Sequence, residues 1–356
     1  MKLQLHVGTE KTGSSYLQKL CARNREFLRE NGIWFPDAGR FEKQLQRGTI
    51  SSGNARDLAR HIQSFDWAAV SSWISTRAND AEAKGCGRLL LSHELIFAAM
   101  SHEGAVEQFQ RVAGEAGISD ISCLMMIRDP VDHALSLYKH RAKGGKAGAV
   151  ERWITQGYPL PSQLAKFLRQ IDSSAVRLQL RKYEKSTGAI VTAFFHDWLE
   201  VSTPPNHIES LVNPSLSLSE LALIRHVTAT RPIDREAFYS SFLSVPLNMK
   251  ADDGIAKSIA MATIESFLCQ FNEFWKELDA RLATDGGLKI PQKRERDIVN
   301  STVPQYVFGE EQLRAWTQAH AESLSPRYAV NHWVRASLRP RVGKLIRKFV
   351  PRFRKE

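Results

Sequence analysis

The stretch from Leu3 to Leu17 constrains this chain more than any other, because it dictates the order strand, glycine-bearing loop, helix. Leu3, Leu5 and Val7 alternate with polar residues, which is the period of a short strand. Gly8 and Gly13 then bracket Thr9, Glu10, Lys11 and Thr12, and Ser14 and Ser15 follow. From Tyr16 onward, Leu17, Leu20 and Cys21 share one helical face, with Asn24 and Arg25 off it. A loop feeding a helix N-terminus is an anion site, since its N–H groups and the positive end of the helix dipole point at the ligand. The Lys11 ammonium and the hydroxyls of Thr12, Ser14 and Ser15 add to that field, so the expected ligand is a phosphate or sulfate ester. A Walker A loop carries its lysine after the second glycine. Here Lys11 precedes Gly13, so the loop is P-loop-like without the signature of a nucleotide triphosphatase.

A second constellation lies downstream. Ile121 to Ile127 is a nearly continuous apolar run, as expected of a parallel strand buried on both faces. It ends in Arg128-Asp129-Pro130, after which Val131, Ala134, Leu135 and Tyr138 recur at helical spacing. Arg128 therefore stands at the C-terminal end of a strand, where open α/β sheets bind ligands. Ser136 lies eight residues on, about two helical turns. A guanidinium fork with a hydroxyl suits a phosphate monoester. A third strand, Arg88 to Leu91, closes with Ser92-His93-Glu94, and a fourth, Ala175 to Leu180, runs into Arg181-Lys182-Tyr183-Glu184. His93 or Glu94 can serve as a base: histidine is poised near neutrality, whereas glutamate needs burial to raise its pKa. The same His-Glu pair could equally cap the helix that follows. Tyr183 can stack on or hydrogen-bond a base, or simply pack.

These residues, in this order, resemble the sulfotransferase family. Lys11-Thr12-Gly13-Ser14-Ser15 after an N-terminal strand looks like the loop that holds the 5′ end of 3′-phosphoadenosine 5′-phosphosulfate (PAPS), and Arg128 through Ser136 looks like the family's 3′-phosphate motif. The closest style is that of bacterial, carbohydrate-type members, which open with His-[Val/Ile]-Gly, and the likeness spans residues 6 to about 217. It implies a P-loop-like sulfotransferase fold of the α/β class, with a central parallel sheet flanked by helices. It also implies transfer of a sulfuryl group from PAPS to a hydroxyl or amine, releasing 3′-phosphoadenosine 5′-phosphate (PAP). Lys11 would neutralise the leaving phosphate, and Thr12, Gly13, Ser14 and Ser15 would cradle the phosphosulfate. Arg128 and Ser136 would hold the 3′-phosphate, and Tyr183 would lie near the adenine. In cytosolic members a Ser/Thr-His pair at the third strand carries the base, and in many carbohydrate and bacterial members a nearby glutamate does; His93 is preferred on the cytosolic pattern. No metal is required. The family's C-terminal R-K-G segment has no counterpart here, so part of the 3′-phosphate grip and any dimer motif stay unassigned. The acceptor implied is a carbohydrate or glycolipid. The rivals are a P-loop-like nucleotide or small-molecule kinase, for which Lys11 is misplaced, and a non-catalytic phosphonucleotide-binding protein.

With 356 residues and 43% apolar composition, the expected division is one domain over 1–330 and a basic tail over 331–356. The net charge of +11 decides where the basicity lies: Arg335 to Glu356 hold nine Lys/Arg and one Glu, a net of +8 that leaves +3 for the rest. In that tail Val342, Leu345, Ile346, Phe349 and Val350 recur at helical spacing among Arg341, Lys344, Arg347 and Lys348. Such a helix suits an anionic membrane surface, or docks on the body with a solvated charged face. No nucleic-acid recognition motif accompanies the charge. Cys21, Cys86, Cys123 and Cys269 show no metal-ligand spacing and read as free thiols in a reducing compartment. Met1-Lys2 leads directly into a strand, and no run approaches a membrane span, so the expected location is cytoplasmic, with the tail able to reach the inner membrane face. His140 to Gly148 reads as a basic, glycine-rich loop, either a lid or a linker. Asn213 to Ser217 reads as helix-capping residues, and 217–330 as mostly helical, with Leu218, Leu221 and Ile224 on one face and Ile264, Phe267, Leu268 and Phe271 on another.

Overall fold

A computed structural model describes residues 1–47, 53–142, 150–205, 216–230, 235–246, 266, 269–282, 285–288 and 308–323. The tail 331–356, most of the glycine-rich loop, Asn213 to Ser215, and Ile264, Phe267 and Leu268 lie outside these residues. The chain divides into two compact units, one formed by Met1–Tyr138, Gly148–Val212 and Met261–Arg296, the other by Lys139–Ala147, Asn213–Ala260 and Asp297–Glu356.

The first unit is α/β. Its five strands are β1 (Lys2–His6), β2 (Ile33–Trp34), β3 (Arg88–Ser92), β4 (Asp120–Ile127) and β5 (Arg177–Lys182). They form one sheet in the order β2-β3-β1-β4-β5, every neighbouring pair parallel. Parallel neighbours need long crossovers, and the intervening segments supply helices: α1 (Ser14–Arg23), α2 (Arg25–Glu30), α3 (Glu42–Arg47), α4 (Arg56–Gln63), α5 (Trp67–Ala83), α6 (Leu95–Met100), α7 (Ala105–Glu115), α8 (Pro130–Ala142), α9 (Val150–Gly157), α10 (Leu160–Asp172) and α11 (Thr187–Val191). β2 is too short for a two-residue period to show in sequence, and it is the strand that the alternation pattern does not predict.

The sheet is covered on both faces, as the apolar run of β4 predicts. Cys123, Leu124 and Met125 are completely buried, and so are Leu3 and Leu5 of β1. The polar residues that alternate with them are buried as well: Gln4 and His6 are each 1% exposed. Each therefore needs a partner; Gln4 Nε2 donates to the Trp198 carbonyl at 3.4 Å, and Trp198 Nε1 donates to Ser122 Oγ at 3.0 Å. Leu17 and Leu20 of α1 share a core with Leu90, Leu124, Phe194, Phe195 and Trp198. After β5 comes α11, followed by a π-helical turn at Thr192–His196. Val70 of α5 is buried, while Trp73 lies half-exposed beneath the Arg77 guanidinium, 5.4 Å away.

In the second unit the helix Leu218–Thr230 begins in a reciprocal cap: Ser217 Oγ accepts from Glu220 N at 3.1 Å, and Glu220 Oε2 accepts from Ser217 N at 2.7 Å. Leu218, Leu221 and Ile224 are buried on its inner face, and Gln312 from the helix Glu310–Ser323 donates to Glu220 Oε1 at 2.7 Å. Ser217 thus has the capping role its sequence context suggests. Among the described residues, no helix is long and apolar enough to cross a membrane.

All four cysteines are free; Cys21, Cys86 and Cys123 are buried and Cys269 is exposed. Burial pushes the Cys123 thiol up to about 12, and Cys21 upward too. A thiol reagent added to the native protein should therefore titrate one group per chain rapidly, and all four only in denaturant. Rapid reaction of two or more native thiols would contradict this packing.

Candidate functional site

Strand order places the site. From β1 the chain moves toward β2 and β3 on one side, whereas from β4 it continues to β5 on the other. The connections leaving the adjacent C-terminal ends of β1 and β4 thus run in opposite directions and open a crevice between them. The loop after β1 and Arg128 after β4 both lie there.

The loop is tightly wound. Val7 N still pairs with the Leu124 carbonyl at 3.0 Å, but Gly8 leaves the ladder. A Cβ on Gly8 would come within 3.1 Å of Ser14 Oγ, 3.2 Å of His6 Nε2 and 3.4 Å of Thr12 Oγ1, so only glycine leaves these polar atoms room. Thr12, wholly buried, donates its hydroxyl proton to the Thr9 carbonyl at 2.6 Å. Lys11 adopts φ 66° and Gly13 φ 82°, left-handed conformations that turn the chain into α1. The Gly13 carbonyl then accepts from Tyr16 N at 2.9 Å and Leu17 N at 3.2 Å. Ser14 is buried with its Oγ unbonded among the described residues, whereas Lys11, Gly13 and Ser15 are partly exposed.

Three segments expected to share a site do meet. Arg128 Nη1 donates to the Lys11 carbonyl at 3.3 Å, and its guanidinium lies 5.5 Å from the centre of the Tyr183 ring. Tyr183 is fixed by its own N–H, which donates to the Ile127 carbonyl at 2.7 Å, and its ring edge comes to 3.4 Å from where a Cβ on Gly13 would stand. Tyr183 is therefore wedged beside the loop. Arg128 Nε is buried and unbonded among the described residues. Ser136 lies half-exposed two turns into α8, and Asp132, one turn before it, is the side chain that meets Arg128, at 4.0 Å. Lys185 Nζ approaches the same Asp132 oxygen at 3.4 Å.

His93 and Glu94 face different surroundings. His93 Nδ1 accepts from Leu95 N at 2.9 Å, capping α6, and the ring is 5% exposed. Burial, then the charges of Arg56 and Arg60, push its pKa down to about 4. The neutral ring therefore makes no ion pair with Glu94, although Nδ1 is 3.9 Å from Glu94 Oε2. Glu94 is turned toward the loop: burial and the charge of Glu10 raise its pKa, while a hydrogen bond from Gln18 and the charge of Lys11 hold it back. His93 thus caps α6, and of the two Glu94 is the one whose charge couples to Lys11.

Pattern reading misses the support beneath the loop. His6 Nδ1 lies 2.8 Å from Ser92 Oγ, which accepts from Gln18 Nε2 at 3.1 Å, while Asn54 Oδ1 accepts from Ser92 N at 2.8 Å. His133 Nε2 lies 2.8 Å from the Glu10 carbonyl, and its Nδ1 lies 3.0 Å from Tyr158 OH. These are lone polar residues far apart in the chain, and no spacing signals them. No family model matches the chain, and no curated protein or solved structure matches it.

Burial also lowers the pKa of His6 to about 4. A folded pKa below the ordinary 6.5 means that the unfolded chain binds the proton first. The stability that the neutral rings of His6 and His93 provide is then complete above pH 6.5 and lost as pH falls toward 4, by up to about 3 kcal/mol each. Glu94 works in the opposite sense, its stabilising protonated form being lost as pH rises through its raised pKa. Denaturant titrations should show stability falling from pH 6.5 to 4, with a shallower fall in His93→Gln. Glu94→Gln should be more stable than the parent at neutral pH; parallel curves for all three proteins would refute this electrostatic assignment.

Proposed function

We propose that the chain is a PAPS-dependent sulfotransferase with a P-loop-like sulfotransferase fold. The observation that carries this reading is the meeting of the Lys11 loop with Arg128 and Tyr183 at the switch point of the sheet. Two cationic anchors fed by different strands suit a ligand with anionic groups at two places, rather than one triphosphate chain. In this reading Gly13, Ser14 and Ser15 offer N–H and hydroxyl donors to the phosphosulfate end. Thr12 shapes the loop through its bond to Thr9 and keeps its lone pairs, not its proton, for other contacts. Arg128 and Ser136 take the 3′-phosphate, with Asp132 keeping the guanidinium in place until the ligand arrives.

Sulfuryl transfer is an in-line displacement: the acceptor oxygen bonds to sulfur as the sulfur–oxygen bond to the 5′-phosphate breaks, and that bond's electron pair leaves with the phosphate. Lys11 neutralises the charge that develops there, a contribution that grows in the transition state. The acceptor's proton goes to a base, and Glu94 suits that task better than His93. Its raised pKa strengthens it as a base and its charge couples to that of Lys11, whereas the His93 Nδ1 lone pair is held by Leu95 N. The acceptor class that fits the resemblance is a carbohydrate or glycolipid hydroxyl, and the setting is the cytoplasm, with the basic tail at an anionic membrane face.

Calorimetry with PAP should give micromolar binding, about −8 kcal/mol, weakened about 10- to 100-fold in Arg128→Ala by loss of a charge-assisted contact. Magnesium-dependent ATP binding in place of PAP binding would make the chain a kinase-like protein instead. With radiolabelled PAPS and a panel of glycans and glycolipids, Lys11→Ala should lower turnover by roughly a hundredfold or more. Glu94→Gln should lower turnover while sparing PAP affinity, and His93→Gln should lower it less. The reverse ranking would return the base to His93, and PAP binding without any transfer would mark a non-catalytic binder.

A further inference from the structure

Lys11 can act on a leaving phosphate only if its backbone is held in register, and its φ of 66° is a conformation that a lysine rarely keeps unaided. The restraint comes from the start of α8. Two consecutive carbonyls of the loop, those of Glu10 and Lys11, are gripped by two side chains five residues apart, His133 at 2.8 Å and Arg128 at 3.3 Å. We infer that His133 is a positioning residue for this site: it holds the Glu10 carbonyl and thereby sets where the Lys11 ammonium stands.

The chemistry of the contact fixes the proton. A carbonyl oxygen only accepts, so His133 Nε2 carries the hydrogen and donates it to Glu10. The other ring nitrogen, Nδ1, lies 3.0 Å from Tyr158 OH. Tyr158 is 5% exposed and also lies 3.3 Å from the Pro130 carbonyl at the first turn of α8. Both ring nitrogens are thus engaged and the imidazole cannot rotate without breaking a buried hydrogen bond. Packing reinforces this. His133 is 1% exposed, its ring 5.8 Å from that of Tyr158, which in turn lies 5.5 Å from Trp153, itself 5.8 Å from Tyr138. Its backbone N–H is held by the Asp129 carbonyl at 2.8 Å, and Asp129 Oδ1 caps α8 by accepting from Asp132 N at 3.0 Å. The segment that carries Arg128 at the entrance of α8 and Ser136 along its length is therefore the one that bonds the Glu10 and Lys11 carbonyls of the loop.

The sulfotransferase reading enters only one arm of the test. The first arm needs no ligand: trypsin cleaves after lysine, and Lys11 is partly exposed. His133→Phe, which keeps an aromatic ring but no donor, should speed cleavage of the Lys11–Thr12 bond at least tenfold in the native protein, read by mass spectrometry. His133→Gln, whose amide N–H can reach the Glu10 carbonyl, should restore most of the protection. Equal cleavage in all three proteins would overturn the inference. So would equal acceleration in both variants with a matching loss of thermal stability, since His133 would then be only packing. The second arm applies once the parent protein binds PAP: turnover should fall tenfold or more in His133→Phe with PAP affinity within about threefold, and recover in His133→Gln. Unchanged turnover in His133→Phe would refute the role at Lys11. Failure of the parent to bind PAP would strike the sulfotransferase reading and leave the first arm standing.

Discussion

The pairing of β1 with β4 is the constraint on which the rest of the site depends. Their parallel register, with Leu5 opposite Cys123 and His6 opposite Leu124, brings the loop that ends at Gly13 and the turn that begins at Arg128 to the same edge of the sheet. Because Val7 N continues the ladder to Leu124 and Gly8 abandons it, the loop starts at a fixed height above the sheet. Arg128 and His133 then reach back across the crevice to the Lys11 and Glu10 carbonyls. No single contact here is strong; a neutral hydrogen bond contributes about 1 kcal/mol net. The arrangement persists because the residues beneath it are buried and cannot shift independently.

The burial that fixes the site also charges its design with a difficulty. A sheet covered on both faces leaves no solvent for Gln4, His6 or Ser92, and a buried polar group without a partner costs about 1–3 kcal/mol. The chain answers for Ser92 and one nitrogen of His6 with a connected set, Gln18 to Ser92, Ser92 to His6, and Asn54 to the Ser92 backbone, while Gln4 Oε1 and His6 Nε2 are unbonded among the described residues. Gln18 also reaches Glu94, so the polar support of the loop and the Glu94 carboxylate are one network. The atoms left without partners among the described residues include Ser14 Oγ and Arg128 Nε, both in residues to which the proposed function gives an anionic ligand. A bound ester offers acceptor oxygens to such groups.

Much of this was legible in the chain, for identifiable reasons. The β4 run announces a doubly covered parallel strand because seven residues without a charge do not fit a half-exposed one. The loop is readable because glycine, lysine and hydroxyl residues are crowded between a strand and a helix, all within local range. β2 was not legible, being only Ile33–Trp34, and neither were the partners His6, Gln18, His133 and Tyr158. Each of these is an isolated polar residue whose role is set by a neighbour from 74 to 123 positions away, or 25 in the case of the His133–Tyr158 bond. Local pattern carries no trace of such pairings. The alternation in β1 even suggests the wrong surroundings for His6, since polar positions in an alternating strand ordinarily face water.

The pair His93-Glu94 shows how adjacent titratable residues acquire different tasks. Sequence makes them equivalent candidates at the end of β3, and histidine has the better intrinsic pKa for a base. Their surroundings reverse that order. His93 turns toward Arg56 and Arg60, which oppose a positive ring, and gives its lone pair to the first turn of α6. A protonated His93 would break that cap and stand among like charges, so the ring is held neutral and structurally occupied. Glu94 is coupled to Lys11, Glu10 and Gln18, where burial and Glu10 raise its proton affinity while Gln18 and Lys11 favour the ionised carboxylate. A base needs both properties, enough affinity to take a proton and enough support to exist without one. In the proposed reaction that balance favours Glu94 over His93, and the backbone of the Lys11 that couples to it is bonded from the other side by Arg128 and His133.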